Sequence, residues 1–173
     1  MKKISSWFLL AMMCIVQMSC GYTQKTVLPK NIKSIYVDTV KNKIDVREIY
    51  LYVPGLEMDI TNAIIRRLQI DGNLKVTTRE KADAVLELDL VRFQQEGLRF
   101  TSLESISEYR MYAVLDMKLI DGKTSEILWH EPNFSGDDEY FVSDIRTLSQ
   151  EEAAQDTVQR LAVNVVDRIV EDW

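Results

Sequence analysis

A cysteine closing an apolar run, a single histidine and two groups of carboxylates are the residues here whose types could do chemistry. Ser19-Cys20-Gly21 sets small residues on both sides of a thiol. It follows the basic pair Lys2-Lys3 and the mostly apolar stretch from Ile4 to Met18. That is the layout of a secretory signal, and it is shorter than the run of about 20 apolar residues that a membrane-spanning helix needs. A cysteine at the cleavage boundary points to lipid attachment, so Cys20 is expected to be the first mature residue and to carry acyl chains. Gln17, three positions earlier, departs from the aliphatic residue usual in such signals, and plain secretion with a free thiol is the competing reading. Each buried methylene contributes about 0.8 kcal/mol, so two or three long chains anchor a protein firmly. Cys14 follows bulky Met13 and leaves with the signal, so no disulfide is expected. Gly21 in place of an aspartate favours delivery to the outer membrane.

The remaining candidates have ordinary explanations. His130 lies beside Trp129 in an expected strand, where packing or surface exposure accounts for it. Asp137-Asp138-Glu139 has the charge to hold a hard cation but lacks the spaced ligands and glycine of a calcium loop, and reads as a solvated acidic loop. Glu87 and Asp89 fall on one face of a strand, as the paired carboxylates of glycosidases must. Alternation along a solvated face produces the same spacing. There is no glycine-rich phosphate loop, nucleophile elbow or paired-cysteine motif. The expectation is a non-enzyme with no cofactor and no metal.

Charge narrows the partners. The chain has 21 basic and 27 acidic side chains for a net charge of −6, and loss of Lys2 and Lys3 takes it to −8. A nucleic-acid binder needs a basic face to displace phosphate counterions, so nucleic acid is not expected. An anionic ligand would have to meet a local group of Arg and Lys.

The elements that would position such residues can be read from periodicity. Residues 1–19 are the expected signal, 20–31 the lipidated cysteine and a short tether, and 32–173 one domain. Ile35 and Val37 alternate with polar residues in a first strand from Lys33 to Val40. A mixed loop follows from Lys41 to Val53, in which Ile49 to Tyr52 form a short strand or a contact surface. Pro54-Gly55 opens a helix, Pro54 in its first turn, with Leu56, Ile60, Ala63, Ile64 and Leu68 on one stripe and Gly72 as its stop. Leu74 to Thr78 is a short strand, and Ala84 to Gln94 a long one. Glu96 to Ser107 is a loop or a strand extension. Glu108 to Ile120 is a further strand, with Met111, Ala113, Leu115, Met117 and Leu119 on one face. Asp121-Gly122-Lys123 is a hairpin turn, with Asp-Gly suited to left-handed backbone. Glu126 to Glu131 is the last strand, ended by Pro132, and Asn133 to Thr147 is irregular. Ser149 and Glu152 form a capping box for a final helix carrying Val158, Leu161, Ala162, Val165, Ile169 and Trp173. The expected class is α+β: a two-layer α/β sandwich. Two helices pack on one face of a mixed, mostly antiparallel sheet of about four to five strands.

Taken in order, several of these pieces resemble a known family. They are Cys20-Gly21-Tyr22, Pro29 before Ile35-Tyr36-Val37, and the helix end Leu68-Gln69-Ile70-Asp71-Gly72. Glu108-Tyr109-Arg110-Met111 and Gly122 followed by Glu126-Ile127-Leu128-Trp129 complete the set. Together they resemble the lipopolysaccharide-assembly lipoproteins, the LptE family, over nearly the whole mature chain. The resemblance implies a two-helix, four-strand sandwich and a non-enzymatic outer-membrane role. Such a protein is partner and plug of the LptD barrel, helps it assemble, and binds lipopolysaccharide in transit. It also implies ligand-binding basic residues in the loop of the central hairpin and the loop before the last helix. Arg99 and Arg146 are the nearest positions here, with Arg110 and Lys118 on the wetter face of the fourth strand as further candidates. The alternative is another envelope lipoprotein acting as a protein–protein adaptor, such as a peptidoglycan-synthase activator, although residues 21–31 are short for crossing the periplasm.

Overall fold

Alternating β-branched residues make Ser34–Val37 a strand (β1), and Ile35 and Val37 point into the core at 0% and 4% exposure. A computed structural model describes residues 32–45, 53–101, 105–142 and 149–171. The other described elements are β2 (Lys41–Asn42), α1 (Leu56–Asp71), β3 (Lys75–Val76), a 3-10 turn (Arg79–Lys81), β4 (Ala84–Phe100), β5 (Ile106–Asp121), β6 (Ile127–Phe141) and α2 (Gln150–Glu171). They build one sheet in the order β3-β1-β4-β5-β6, with β2 alongside β4 beyond the end of β1. The β1, β2 and β3 pairings are parallel, whereas β4, β5 and β6 form a long antiparallel meander. Both helices lie on one face, which makes the expected two-layer sandwich, with six strands rather than four or five.

The core is the meeting of three stripes. Leu56, Ile60, Ala63, Ile64 and Leu68 come from α1, and Val158, Leu161, Ala162, Val165 and Ile169 from α2. The strands supply Leu86, Leu88, Leu90, Phe93, Met111, Leu115, Met117 and Leu119. Each stripe follows the period its backbone imposes, 3.6 residues in the helices and two in the strands. Thr61 is a buried polar exception. Its hydroxyl donates to Glu57 O (2.7 Å) and accepts from Val40 N–H (3.1 Å), so it ties the segment after β1 to α1 with no unmet group.

The helix ends largely follow the sequence. Gly72 closes α1 in the left-handed region (φ 77°), its N–H on Leu68 O. At the other end Gly55, also left-handed (φ 80°), is the cap and Leu56 the first helical residue, so Pro54 precedes the helix rather than lying in its first turn. The capping box of α2 is formed: Glu152 N–H donates to Ser149 Oγ (3.2 Å), and Ser149 N–H donates to the Glu152 carboxylate (2.8 Å). The Ser149 N–H bond foremost, then one from Ser149 Oγ–H to the same carboxylate (2.8 Å), holds the Glu152 carboxyl below its ordinary range.

One open reading is decided and two expectations need correction. First, β4 continues past Gln94 to Phe100, so of the two readings of Glu96 to Ser107 the strand extension holds through Phe100. Second, Pro132 does not end the last strand. β6 runs through it to Phe141, and Asp137-Asp138-Glu139 is strand, not an irregular loop. Pro132 and Asn133 (φ 57°) fall at a bulge opposite the Leu115/Met117 step, after which pairing resumes. An edge strand tolerates proline because it has one side with no ladder bond to lose. Third, the left-handed residue of the β5–β6 turn is Ser125 (φ 58°), not Gly122. Gly122 serves close approach: its N–H donates to Asp83 O (2.8 Å), and a Cβ there would lie 2.2 Å from Ala82 O. Ile49 to Tyr52 and Trp173 lie outside the described residues.

Asp83 locks the start of β1 to the start of β4. Its carboxylate accepts Ser34 Oγ–H (2.8 Å) and Lys33 N–H (3.2 Å), and its own N–H donates to Ser34 Oγ (3.0 Å). The Ser34 bond chiefly, then the Lys33 bond, pulls its carboxyl below the ordinary 3.8. A depressed carboxylate stabilises the fold above its unfolded pKa and loses that contribution as pH falls through the folded one. Asp83→Asn should therefore lower the melting temperature at neutral pH. The gap to the parent should close as pH drops below 3.8, read by thermal melts across that range.

Candidate functional site

From Glu108 to Ile120, β5 alternates without a bulge of its own, so Glu108, Arg110, Tyr112, Asp116 and Lys118 share the face turned away from the helices. Three of the four expected cation positions bear on this face. They are not one site: Glu108 and Lys118 are ten positions apart, about 30 Å along an extended strand.

The far end of the β4–β5–β6 meander projects beyond the helix layer. Gln150, the first residue of α2, meets Gln95 side chain to side chain (2.9 Å), and the strands continue past that point. Stacked Tyr109 and Tyr140 (centroids 5.7 Å apart) close the core there. Beyond them Leu98, Phe100 and Val142 are exposed at 37%, 61% and 36%. Arg99 lies between Leu98 and Phe100 in the chain, and its register partner is Glu108 on the face turned away from the helices. Its Nε lies 3.3 Å from a carboxylate oxygen of Glu108, whose side chain is 7% exposed against 69% for Arg99. The pair engages the guanidinium through Nε, and the Arg99 side chain is otherwise mostly exposed. A cation next in the chain to exposed apolar residues, at the end of a projecting sheet, suits an anionic amphiphile.

Arg110 is differently placed. It bridges Glu139 (2.6 Å) and Asp137 (3.5 Å) on β6, and the hydrogen bond to Glu139, more than the surrounding charge, raises its pKa. An anionic ligand at Arg110 has to compete with two carboxylates already there. Lys118 lines a recess of about 120 Å³ with Lys41, Lys43, Glu87, Asp89 and Asp116. Lys41 and Lys43 were not among the expected site residues. They reach this face because β2 runs beside Asp89 and Leu90 of β4, a non-local pairing with no local signal.

The carboxylates weighed for catalysis fall in that recess too. Glu87 lies opposite Lys118 and 3.7 Å from Arg79, which also pairs with Asp38 (3.2 Å). Asp89 faces Asp116, and Asp116 meets His130 Nε2 at 2.6 Å. The dyad is thus embedded among lysines, an arginine and a histidine on an open sheet face. Among the described residues no three His, Cys, Asp or Glu side chains are grouped to hold a metal ion. Asp138, read as part of a solvated run, reaches α2 and pairs with Arg160 (2.8 Å). Cys20 and Arg146 lie outside the described residues.

A second depression, about 750 Å³, opens where α1 and α2 begin. Val53, Leu56, Ala154 and Val158 line it together with Asp59, Arg66, Glu151 and Asp156. None of the expected site residues is in it.

Comparison with solved structures finds the same architecture elsewhere. A Xanthomonas campestris protein superposes with a TM-score of 0.59 at 15% identity, covering 83% of this chain and 87% of that one. A hypothetical protein from Chlamydia trachomatis gives 0.54 at 11% identity, covering 80% and 95%. Identities this low speak for the fold alone. No curated protein matches the chain. A family model described as "LptE: Lipopolysaccharide-assembly" matches residues 32–173.

Proposed function

The chain belongs to the lipopolysaccharide-assembly (LptE) family, and from that membership we propose an outer-membrane lipoprotein that works without catalysis. It is anchored on the periplasmic side through lipid on Cys20, with residues 20–31 as tether and residues 32–173 as the working domain. It assists assembly of the lipopolysaccharide-export barrel and plugs it, and it binds lipopolysaccharide on the way to the cell surface.

The observation that carries the ligand half of this proposal is the end of the β4–β5–β6 meander. Lipopolysaccharide is an amphiphile with phosphates beside acyl chains. Arg99 offers a guanidinium for the former, and exposed Leu98, Phe100 and Val142 at the same end of the sheet offer apolar surface for the latter. A net negative chain is no obstacle, because a bidentate guanidinium–phosphate contact is decided locally. Arg146 is proposed to add a second cation. Arg110 and Lys118 take a lesser part, the first because Glu139 and Asp137 already occupy it. The family relation supports the barrel partner.

The test is binding of purified lipopolysaccharide to the lipidated protein carrying Arg99→Glu with Arg146→Glu. Hydrogen bonds to charged groups contribute about 1.5–3 kcal/mol, so loss of one alone weakens binding at least about tenfold. Circular dichroism must show that the fold survives loss of the Arg99–Glu108 pair, and Arg99→Gln in place of Arg99→Glu avoids setting a second carboxylate beside Glu108. Unaltered affinity in a folded double variant would remove both residues from the site.

A further inference from the structure

The sheet ends on β6, whose far side no described strand covers. Its two halves differ. The first contains Pro132 and the bulge at Asn133, devices that spoil an edge for pairing. The second, Phe134 to Phe141, keeps an unbroken register with Leu115 to Glu108 and has no proline.

The ladder tells which backbone groups that half leaves over. Val142 N–H donates to Ser107 O (3.1 Å), and bonded and unbonded positions alternate along an antiparallel pair. Phe134, Gly136, Asp138 and Tyr140 therefore turn their N–H and C=O to β5. Ser135, Asp137, Glu139 and Phe141 turn theirs outward. Asn164 Nδ2 reaches Ser135 O (3.5 Å), as this phase requires. Among the described residues no other hydrogen bond meets that side at Asp137, Glu139 or Phe141.

Charge then selects the occupant. Asp137 and Glu139 share one cation, Arg110, and Asp138 on the opposite face is matched by Arg160. One carboxylate charge is left over, beside where an added strand would run. A second copy of β6 would bring Asp137 and Glu139 against their own counterparts, and like charges directly opposite destabilise a pair.

We propose that the Phe134–Phe141 half of β6 is a docking edge for an extended polypeptide segment with lysine or arginine at alternate positions, added as a further strand. Main-chain bonds to Asp137, Glu139 and Phe141 supply the attachment, and the carboxylates choose a basic strand over an acidic one. No lipid takes part, so this stands apart from the lipopolysaccharide proposal.

The probe is a peptide of alternating valine and lysine about ten residues long, compared with its valine–glutamate counterpart. The first should bind and slow amide exchange at Asp137, Glu139 and Phe141; the second should not. Glu139→Pro deletes an outward N–H that β5 does not use, so it should weaken binding at least about tenfold while β5 pairing survives. Asp137→Lys should shift preference toward the acidic peptide without touching the backbone. Equal binding of both peptides, protection away from β6, or indifference to both variants overturns the proposal. Self-association of the protein through this edge in sedimentation would overturn it as well.

Discussion

Gly136→Ala should cost about 3 kcal/mol, the upper end of what overpacking a core exacts, and lower the melting temperature by roughly 10 °C. Gly136 is buried in β6 directly beneath α2. A Cβ there would lie 2.6 Å from Leu161 Cα and 2.9 Å from Leu161 N. Those are backbone atoms of a helix, so no rotamer change relieves the clash and α2 must lift or slide. Movement has its own cost, because α2 is tied to β6 by a stripe of residues four apart. Arg160 binds Asp138 (2.8 Å), Asn164 reaches Ser135 O (3.5 Å), and Arg168 holds Glu131 (3.0 Å) while lying over the Trp129 ring (5.3 Å). Urea unfolding of the variant checks the size. Stability within about 0.5 kcal/mol of the parent would mean that α2 is not seated as described.

Phe93→Ala should cost about 3–5 kcal/mol, the range for emptying a large buried side chain. Phe93 is fully buried, and its register partners across the sheet are Ala113 and then Gly136. The row runs from large to small to none, and that taper lets α2 come down onto the edge strand. With Ala113 and Gly136 beside it, the row has no neighbouring side chain able to swing into the vacated space. The effect should also be uneven. Phe93 is the last buried side chain of β4 before the projecting end, so exchange of amides from Gln95 to Phe100 should quicken more than exchange around Leu86. Uniform loss of protection would contradict that placement.

Some of this was legible beforehand and some was not, for identifiable reasons. β5 was clear because its inward positions from Met111 to Leu119 are all apolar and its outward ones, Val114 and Ile120 aside, are polar. β6 beyond Pro132 was hidden because its inward positions are Phe134, Gly136, Asp138 and Tyr140. Those residues answer to α2, one by close approach and one by an ion pair, and no hydropathy pattern records that. The candidate site divides the same way. Arg99 stood out through the family resemblance alone. Its buried partner Glu108 was read only as the opening residue of a strand, since the pairing across the hairpin is non-local. Lys41 and Lys43 were missed because the β2–β4 pairing that brings them to Lys118 spans nearly fifty residues.

What the sequence by itself determined about this protein is what depends on near neighbours. Both apolar helical stripes, the left-handed stop at Gly72 and the Ser149–Glu152 box arise from contacts within a few residues, which local composition encodes. Tertiary structure alone decided the length of β6, the reason for glycine at 122 and 136, and which carboxylates each cation meets. Those depend on what lies across the sheet or on the layer above, where a residue's partner is set by register rather than by spacing along the chain. Arg99 and Arg110 are both arginines near one end of the meander. The strands beside them set the difference: Arg99 meets one carboxylate through Nε, and Arg110 meets two.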